Sequence, residues 1–200
     1  MKKIVVVAVG VLFCLAGVST PALAEDQSIN FGGMGLVAPD LSASVFYAEY
    51  ERMLNDNHSL FFRLGSLDYD YDDGEYKEDG DGPGVDFGIR RYFSGDGMKG
   101  FFIGGTVGIW TTDWTFSEPT APLVDQAGEG SSTAAKIDFE VGGRIPMGSG
   151  NVWFIPSFHI GTFVSLDDEC NSTSLPGASC TVESEVGFYG LLGLALGVAF

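Results

Sequence analysis

Basic residues are scarce in this 200-residue sequence, which has ten Lys and Arg residues against twenty-seven Asp and Glu residues. The formal net charge of -17 argues against nucleic acid as a partner, because nucleic acids are bound by cation-rich surfaces. Zinc-ligand spacings and phosphate-cradling glycine loops are also missing, so we expect no cofactor. No segment beyond the N-terminus has convincing helical periodicity, which leaves β-structure as the expected architecture.

The first 24 residues have the features of a secretory signal peptide. Two lysines precede an apolar stretch, residues 4–18, and a small-residue cleavage motif follows at Ala22-Leu23-Ala24. This stretch is shorter than the roughly twenty residues that a membrane-spanning helix needs. We therefore expect an exported protein that is cleaved before Glu25, with residues 25–200 forming a single domain.

Cysteine is rare as well, since only three are present and Cys14 lies in the signal peptide. Cys170 and Cys180 remain in the exported part, within a polar segment. Oxidising conditions favour a disulfide between them, and closing so short a loop restrains the unfolded chain by roughly 2–3 kcal/mol. Two free thiols are the alternative.

The last fifteen residues, "VGFYGLLGLALGVAF", carry no charge. Read with a period of two, large apolar side chains fall on one face and mostly small residues on the other. The large ones are Phe188, Leu192, Leu194, Leu196, Val198 and Phe200. This pattern is typical of a strand that has lipid on one side and a crowded barrel interior on the other.

Segments with a period of two continue back to the mature N-terminus and predict eight strands. We place them at residues 29–37, 43–54, 58–69, 84–93, 100–112, 133–146, 151–165 and 184–200. Short connections at 55–57, 94–99 and 146–150 alternate with long ones at 70–83, 113–132 and 166–183, whereas the first connection, near Pro39, is short. Alternating short and long connections are expected of an outer-membrane barrel with periplasmic turns and outer loops.

The signal peptide, eight strands, acidic outer loops and terminal "LALGVAF" together resemble the small eight-stranded outer-membrane barrels of Gram-negative bacteria, the OmpA- and OmpX-type family. The resemblance implies an all-β, antiparallel, up-and-down transmembrane barrel in the cell outer membrane, in contact with membrane lipid and lipopolysaccharide. It also implies that Leu196, Val198 and Phe200 form the signal read by the barrel assembly machinery. A soluble, lipocalin-like binding protein with its apolar faces inward is the alternative fold hypothesis.

Strand parity predicts that ten ionisable side chains point into the barrel, and we call this set the lumen charge network. Its members are Glu49, Glu51, Arg63, Asp86, Arg90, Lys136, Asp138, Glu140, Arg144 and His159. An eight-stranded barrel is just wide enough for side chains to fill, so opposite charges should pair into a structural plug. A gate that passes small ions is the second hypothesis.

The stretch "DYDYDDGEYKEDGDGPG", residues 68–84, is the most acidic part of the chain and is predicted to be an outer loop. Asp68, Asp70, Asp72 and Asp73 are candidates for weak Ca²⁺ or Mg²⁺ binding. The glycine that follows them is one residue late for a calcium-loop motif, so we expect no dedicated metal site.

The function favoured by these features is a structural or adhesion-like surface role through acidic outer loops, with no host or surface ligand specified. A narrow, porin-like pore is the alternative. Catalysis has little support: Ser157 and His159 share a strand face, but no carboxylate can be assigned to them from the sequence. A lipid A or phospholipid hydrolase is therefore the weakest hypothesis, and we predict a protein that is not an enzyme.

Overall fold

The computed structural model describes residues 26–37, 40–94, 97–118, 126–148, 151–172 and 187–200. The predicted signal peptide, Glu25 and Cys180 lie outside these residues, so cleavage and the Cys170–Cys180 disulfide stay predictions. Within the described part of the chain, no helix is long and apolar enough to cross a membrane.

Eight β-strands contain most of the described residues. They are β1 (Gln27–Val37), β2 (Leu41–Asn55), β3 (His58–Asp72), β4 (Lys77–Tyr92), β5 (Gly100–Glu118), β6 (Gln126–Pro146), β7 (Val152–Ser172) and β8 (Gly187–Ala199).

Every strand pairs antiparallel with the next, and β1 also pairs with β8, which closes the sheet into a barrel. The closing register places Ser28 opposite Ala199 and Gly35 opposite Leu192. Closure removes both edges of a sheet, so each of these eight strands has a neighbour on either side. The predicted eight-stranded, antiparallel, up-and-down arrangement is confirmed.

The outer face carries the large apolar side chains. On β5, the outward positions between Phe101 and Ile109 are apolar or glycine, and Phe101, Val107 and Ile109 are each more than half exposed. These positions cover roughly 27 Å along the strand, which is roughly 20 Å in height for a strand tilted by about 40°, a little less than the roughly 25 Å apolar band of a transmembrane barrel. Beyond Ile109 the outward residues become polar, beginning with Thr111 and Asp113. The apolar surface is therefore a band of limited height.

The interior is polar at its centre and aromatic around it. Alternate residues of β8, such as Leu191 and Ala195, are buried while Leu192 and Leu194 are exposed, as the period-two pattern predicts. The apolar residues of the interior include Tyr92, Phe102, Trp110 and Trp153. These residues fill the barrel on both sides of the charged side chains along its axis.

The predicted bounds of the three long outer loops are wrong, because the strands extend into all three segments. β3 and β4 pair as far as Asp72 and Lys77, so only residues 73–76 connect them. β5 reaches Glu118, β6 begins at Gln126, and β7 extends to Ser172. Antiparallel pairing satisfies the backbone polar groups of these polar segments even though Asp and Gly disfavour strands, and the sequence prediction gave composition too much weight.

Two irregularities interrupt β7. Pro156 pairs with Leu194 of β8, but the ladder to β6 has a gap between Gly142 and Ile145 on that strand, because proline has no amide hydrogen to donate. Further along, the register between β6 and β7 shifts between Thr133 and Ala134. An extra residue at this shift reverses which alternate side chains of β7 point inward.

Glycines on the inner face of β5 make room for charged side chains. A β-carbon on Gly104 would lie 2.8 Å from Glu140 Cγ and 3.0 Å from the Ile89 carbonyl oxygen. A β-carbon on Gly108 would collide with the Asp86 carboxylate. The inward glycines therefore leave the space in which the carboxylates sit.

We predict that Gly104→Val destabilises the folded barrel by about 1–3 kcal/mol, because the added side chain overpacks the Glu140 site. Urea unfolding in lipid vesicles, followed by tryptophan fluorescence, measures the change. Gly143→Val is the matched control, because a β-carbon there faces outward with its nearest atom 3.9 Å away. Equal stability of the two variants would show that the Glu140 side chain does not need the space left by Gly104.

Candidate functional site

All ten members of the lumen charge network lie inside the barrel, and each is at most 3% exposed. The cross-strand register places opposite charges side by side. Glu49 on β2 lies opposite Arg63 on β3, and Arg63 lies opposite Asp86 on β4. On the far side of Asp86, Gly108 of β5 separates it from Lys136 of β6. Charge therefore alternates in sign around this level of the barrel.

Arg90 on β4 contacts three carboxylates at the centre of the lumen. Its Nη1 lies 2.6 Å from Glu49 Oε1 and 2.8 Å from Glu51 Oε2. Its Nε donates a hydrogen bond to Glu140 Oε1. Because these carboxylates belong to β2 and β6, the single guanidinium ties opposite walls of the barrel together.

Arg63 and Arg144 extend this cluster in opposite directions along the barrel axis. Arg63 Nη2 lies 2.7 Å from Glu49 Oε2 and 3.4 Å from Glu140 Oε2. Arg144 Nη2 lies 2.8 Å from Glu51 Oε2. Each of the three buried glutamates thus has at least one arginine partner, which offsets the cost of burying its charge.

A second group of charges lies beside the first. Lys136 Nζ is 2.8 Å from Asp86 Oδ2 and 3.6 Å from Asp138 Oδ2. His159 Nδ1 is 3.0 Å from Asp138 Oδ2 and 3.7 Å from Glu140 Oε2. The structure therefore brings all ten predicted residues into one connected set of contacts.

Uncharged side chains that the sequence prediction missed also bind the buried carboxylates. Asn30 Nδ2 donates to Glu49 Oε1 at 2.7 Å, and Trp110 Nε1 donates to Asp86 Oδ1 at 2.8 Å. Glu51 Oε1 accepts hydrogen bonds from Ser59 and Tyr92. Their inward parity was readable from the sequence, but the carboxylate that each one binds depends on register and rotamer.

Aromatic rings cover the arginines. Arg63 Cζ lies 4.4 Å from the centre of the Tyr47 ring, and Arg90 Cζ lies 4.2 Å from that of Phe61. Such cation–π contacts stabilise a desolvated guanidinium on the face that has no carboxylate.

Two successive polar contacts join the side chains of Ser157, His159 and Asp138. Ser157 Oγ lies 2.9 Å from His159 Nε2, while His159 Nδ1 lies 3.0 Å from Asp138 Oδ2. Asp138 is the carboxylate that the sequence could not assign, because it reaches His159 from the neighbouring strand. The order of contacts matches that of an activated serine. However, His159 is fully buried and Asp138 nearly so, within a set of ion pairs, so these contacts hold the histidine in the network.

The four candidate cation ligands of the acidic stretch do not converge. Asp72 pairs with Lys77 at 2.6 Å, and the hydrogen bond from that ammonium lowers the pKa of the Asp72 carboxyl. Asp73 Oδ1 accepts hydrogen bonds from the backbone amides of Tyr76 and Glu75, and these hydrogen bonds lower the pKa of the Asp73 carboxyl. Both carboxylates therefore close the turn. Among the described residues, no group of three His, Cys, Asp or Glu side chains is placed to hold a metal ion.

Carboxylates face one another on the outside of the extended strands. Asp68 of β3 lies opposite Asp81 of β4, which lies opposite Asp113 of β5. Asp70 lies opposite Asp79 in the neighbouring row. We call this exposed outward surface the acidic face; it consists of Asp68, Asp70, Asp79, Asp81, Asp113, Glu129 and Glu169. Like charges directly opposite each other destabilise a sheet, so the arrangement is not explained by stability of the barrel alone.

The predicted assembly signal lies on the outer face at the end of the chain. Leu196 and Val198 of β8 are more than half exposed, and Phe200 follows the strand, 49% exposed. Cys170 lies near the end of β7. The role of the three terminal residues in assembly stays a prediction.

No protein-family model matches this sequence, and no curated protein matches it. Among solved structures, the translocator domain of the autotransporter NalP from Neisseria meningitidis is 14% identical, with 98% of this chain and 68% of that chain covered and a TM-score of 0.47. A major outer membrane protein from Thermus thermophilus is 14% identical, with coverages of 87% and 99% and a TM-score of 0.49. CarO from Acinetobacter baumannii is 10% identical, with coverages of 90% and 100% and a TM-score of 0.46.

Since these TM-scores lie below 0.5, the fold assignment rests on the strand pairing of the chain itself. That pairing defines an eight-stranded up-and-down barrel with an apolar outer band and a charged interior. This distribution of side chains is the one found in transmembrane barrels and is the reverse of a soluble barrel.

We predict that Glu140→Gln destabilises the barrel by about 3 kcal/mol, because it leaves the buried guanidinium of Arg90 with one charged partner fewer. The free energy of unfolding in urea, measured in lipid vesicles, tests this. Lys77→Gln removes a partner from the exposed Asp72 pair and should leave the unfolding midpoint unchanged. A Glu140→Gln variant as stable as the parent would show that the ion pairs of Glu140 contribute nothing to the stability of the barrel.

Proposed function

We propose that this protein is an outer-membrane barrel that displays an acidic surface outside the cell and has a structural and surface-interaction role. The observation that carries the proposal is the continuation of β5, β6 and β7 beyond the apolar band. These strands have 19, 21 and 21 residues, whereas about nine to eleven suffice to cross a membrane. The additional length carries the acidic face out of the membrane.

The acidic face is suited to partners that carry positive charge. Its cross-strand pairs, such as Asp81 with Asp113, repel each other until a cation or a basic segment neutralises them. The groove that they border, about 460 Å³ in volume, also includes polar side chains such as Ser131 and Asn171. Calcium or magnesium ions that bridge these carboxylates to lipopolysaccharide phosphates belong to the same proposal, as weak and exchangeable ligands.

A narrow ion pore is the second candidate function. The lumen charge network holds five Asp and Glu side chains against four Lys and Arg side chains, and a surplus of acidic groups favours cations over anions. Against conduction, its side chains are almost completely buried and cross the lumen, as Arg90 does between β2 and β6. We therefore expect a closed barrel, which single-channel recording in planar bilayers distinguishes from a pore.

We predict that an epitope inserted between Gly74 and Glu75 is stained by antibody on intact cells. These residues lie in the exposed turn between β3 and β4, at the end that carries the acidic face. The matched control is an insertion between Asp56 and Asn57, in the turn at the opposite end, which should be stained only after permeabilisation. The reverse pattern would contradict the proposed orientation, and a soluble periplasmic product would contradict the membrane location.

We also predict that the acidic face binds polylysine in a salt-sensitive way. Changing Asp68, Asp81 and Asp113 to asparagine should weaken binding to the purified barrel in nanodiscs several-fold at low ionic strength, because the variant loses a continuous row of charge. Fluorescence anisotropy of labelled polylysine measures the binding. Asp26→Asn and Asp56→Asn together, at the opposite end, are the control. An equal effect of both sets of changes would exclude a dedicated surface.

A further inference from the structure

An apolar groove of about 660 Å³ lies on the outer surface of the barrel, across β2 to β5. Its floor is Gly105, where a β-carbon would have no atom within 4 Å. The aromatic pair Phe62 and Phe87, with ring centres 4.9 Å apart, forms one wall, and Leu60 and Ile89 lie beside the floor. The volume is within the range of sites that hold a ligand of several hundred daltons.

The groove lies close to the short-turn end of the barrel. Arg52, Leu60, Ile89 and Gly105 occupy one row across the four strands, and Leu60 is only two residues from the start of β3. Arg52 itself lines the groove. Arg91 lies two residues beyond Ile89 on the same outward face of β4, toward the turn. The apolar groove is therefore lined by one exposed guanidinium group, that of Arg52, and a second, that of Arg91, lies nearer the turn, 5.5 Å from the centre of the Phe93 ring.

The charges outside the lumen are distributed unequally between the two ends of the barrel. Of the four exterior Lys and Arg residues that the structure describes, Arg52, Arg91 and Lys99 lie toward the short-turn end, and only Lys77 lies at the other. Outside the lumen, the carboxylate side chains described at the short-turn end are those of Asp26 and Asp56, while the acidic face occupies the opposite end. An anionic ligand is thus attracted to the same end at which the groove lies.

We propose that this groove is a binding site for an anionic phospholipid of the inner leaflet, with one acyl chain over Gly105 and the phosphate between Arg52 and Arg91. The inference rests on the proposed function, which places the short turns in the periplasm. The surrounding lipid is as apolar as the groove, so burial of the acyl chain alone gives no preference for one lipid over another. The arginines supply the selectivity for negative headgroups, and the shape of the groove fixes the chain.

Native mass spectrometry of the barrel released from nanodiscs tests the site, with phosphatidylglycerol and phosphatidylcholine present in equal amounts. We expect the wild type to retain phosphatidylglycerol in preference to phosphatidylcholine. Gly105→Leu, which fills the groove, and the double variant Arg52→Gln/Arg91→Gln should each lower the retained phosphatidylglycerol at least fivefold. Gly143→Leu, at another outward glycine, and Lys77→Gln, at the other end, are the matched controls and should retain as much as the wild type.

Equal retention by the groove variants and the controls would overturn the proposal, as would loss of binding in all four. Gel mobility with and without boiling in detergent separates this failure from a failure of the proposed function. A folded, heat-modifiable barrel without preferential retention contradicts the lipid site only. A protein without heat-modifiable mobility that is recovered free of lipid contradicts the membrane barrel and, with it, the site.

Discussion

The interior of an eight-stranded barrel is too narrow to be left empty and too poorly hydrated for unpaired charge, and this constraint governs the rest of the structure. The chain meets it with four cations and five carboxylates placed in alternation by strand register. Arg90 joins the walls that carry Glu49 and Glu140, and glycines at 104 and 108 leave the necessary space. Because paired charges occupy the centre of the inside, the large apolar side chains are left for the outside.

The outside of the barrel faces two different surroundings, and each strand changes its outward residues accordingly. On β5 the outward positions are apolar or glycine as far as Ile109 and polar from Thr111 onward, while the backbone pairing with β6 continues without a break. The acidic face and the exterior arginines lie at opposite ends of the molecule. Along its axis, the outside of the barrel therefore changes from anionic at one end, through the apolar band, to cationic at the other end.

Much of this arrangement is predictable from the sequence, because a period of two fixes which side chains share a face. Parity alone placed Glu140 and Arg144 on the inner face of β6 together with Lys136. Parity cannot tell which partner each charge selects: His159 lies opposite Glu140, yet its shorter contact is with Asp138. The lengths of the strands were underestimated because acidic, glycine-rich segments such as 77–83 look like loops, and only cross-strand pairing reveals them as strands.

The most direct test of this inside-out arrangement is the accessibility of nitroxide labels at successive outward positions of β5. The labels are placed singly from Phe101 to Ser117 on a background without Cys170 and Cys180, and the barrel is reconstituted in lipid vesicles. We predict high accessibility to oxygen from Phe101 to Ile109 and a switch to water-soluble relaxing agents from Asp113 onward. Low accessibility to both reagents between Phe101 and Ile109 would show that these side chains form a protein core, and would contradict the account.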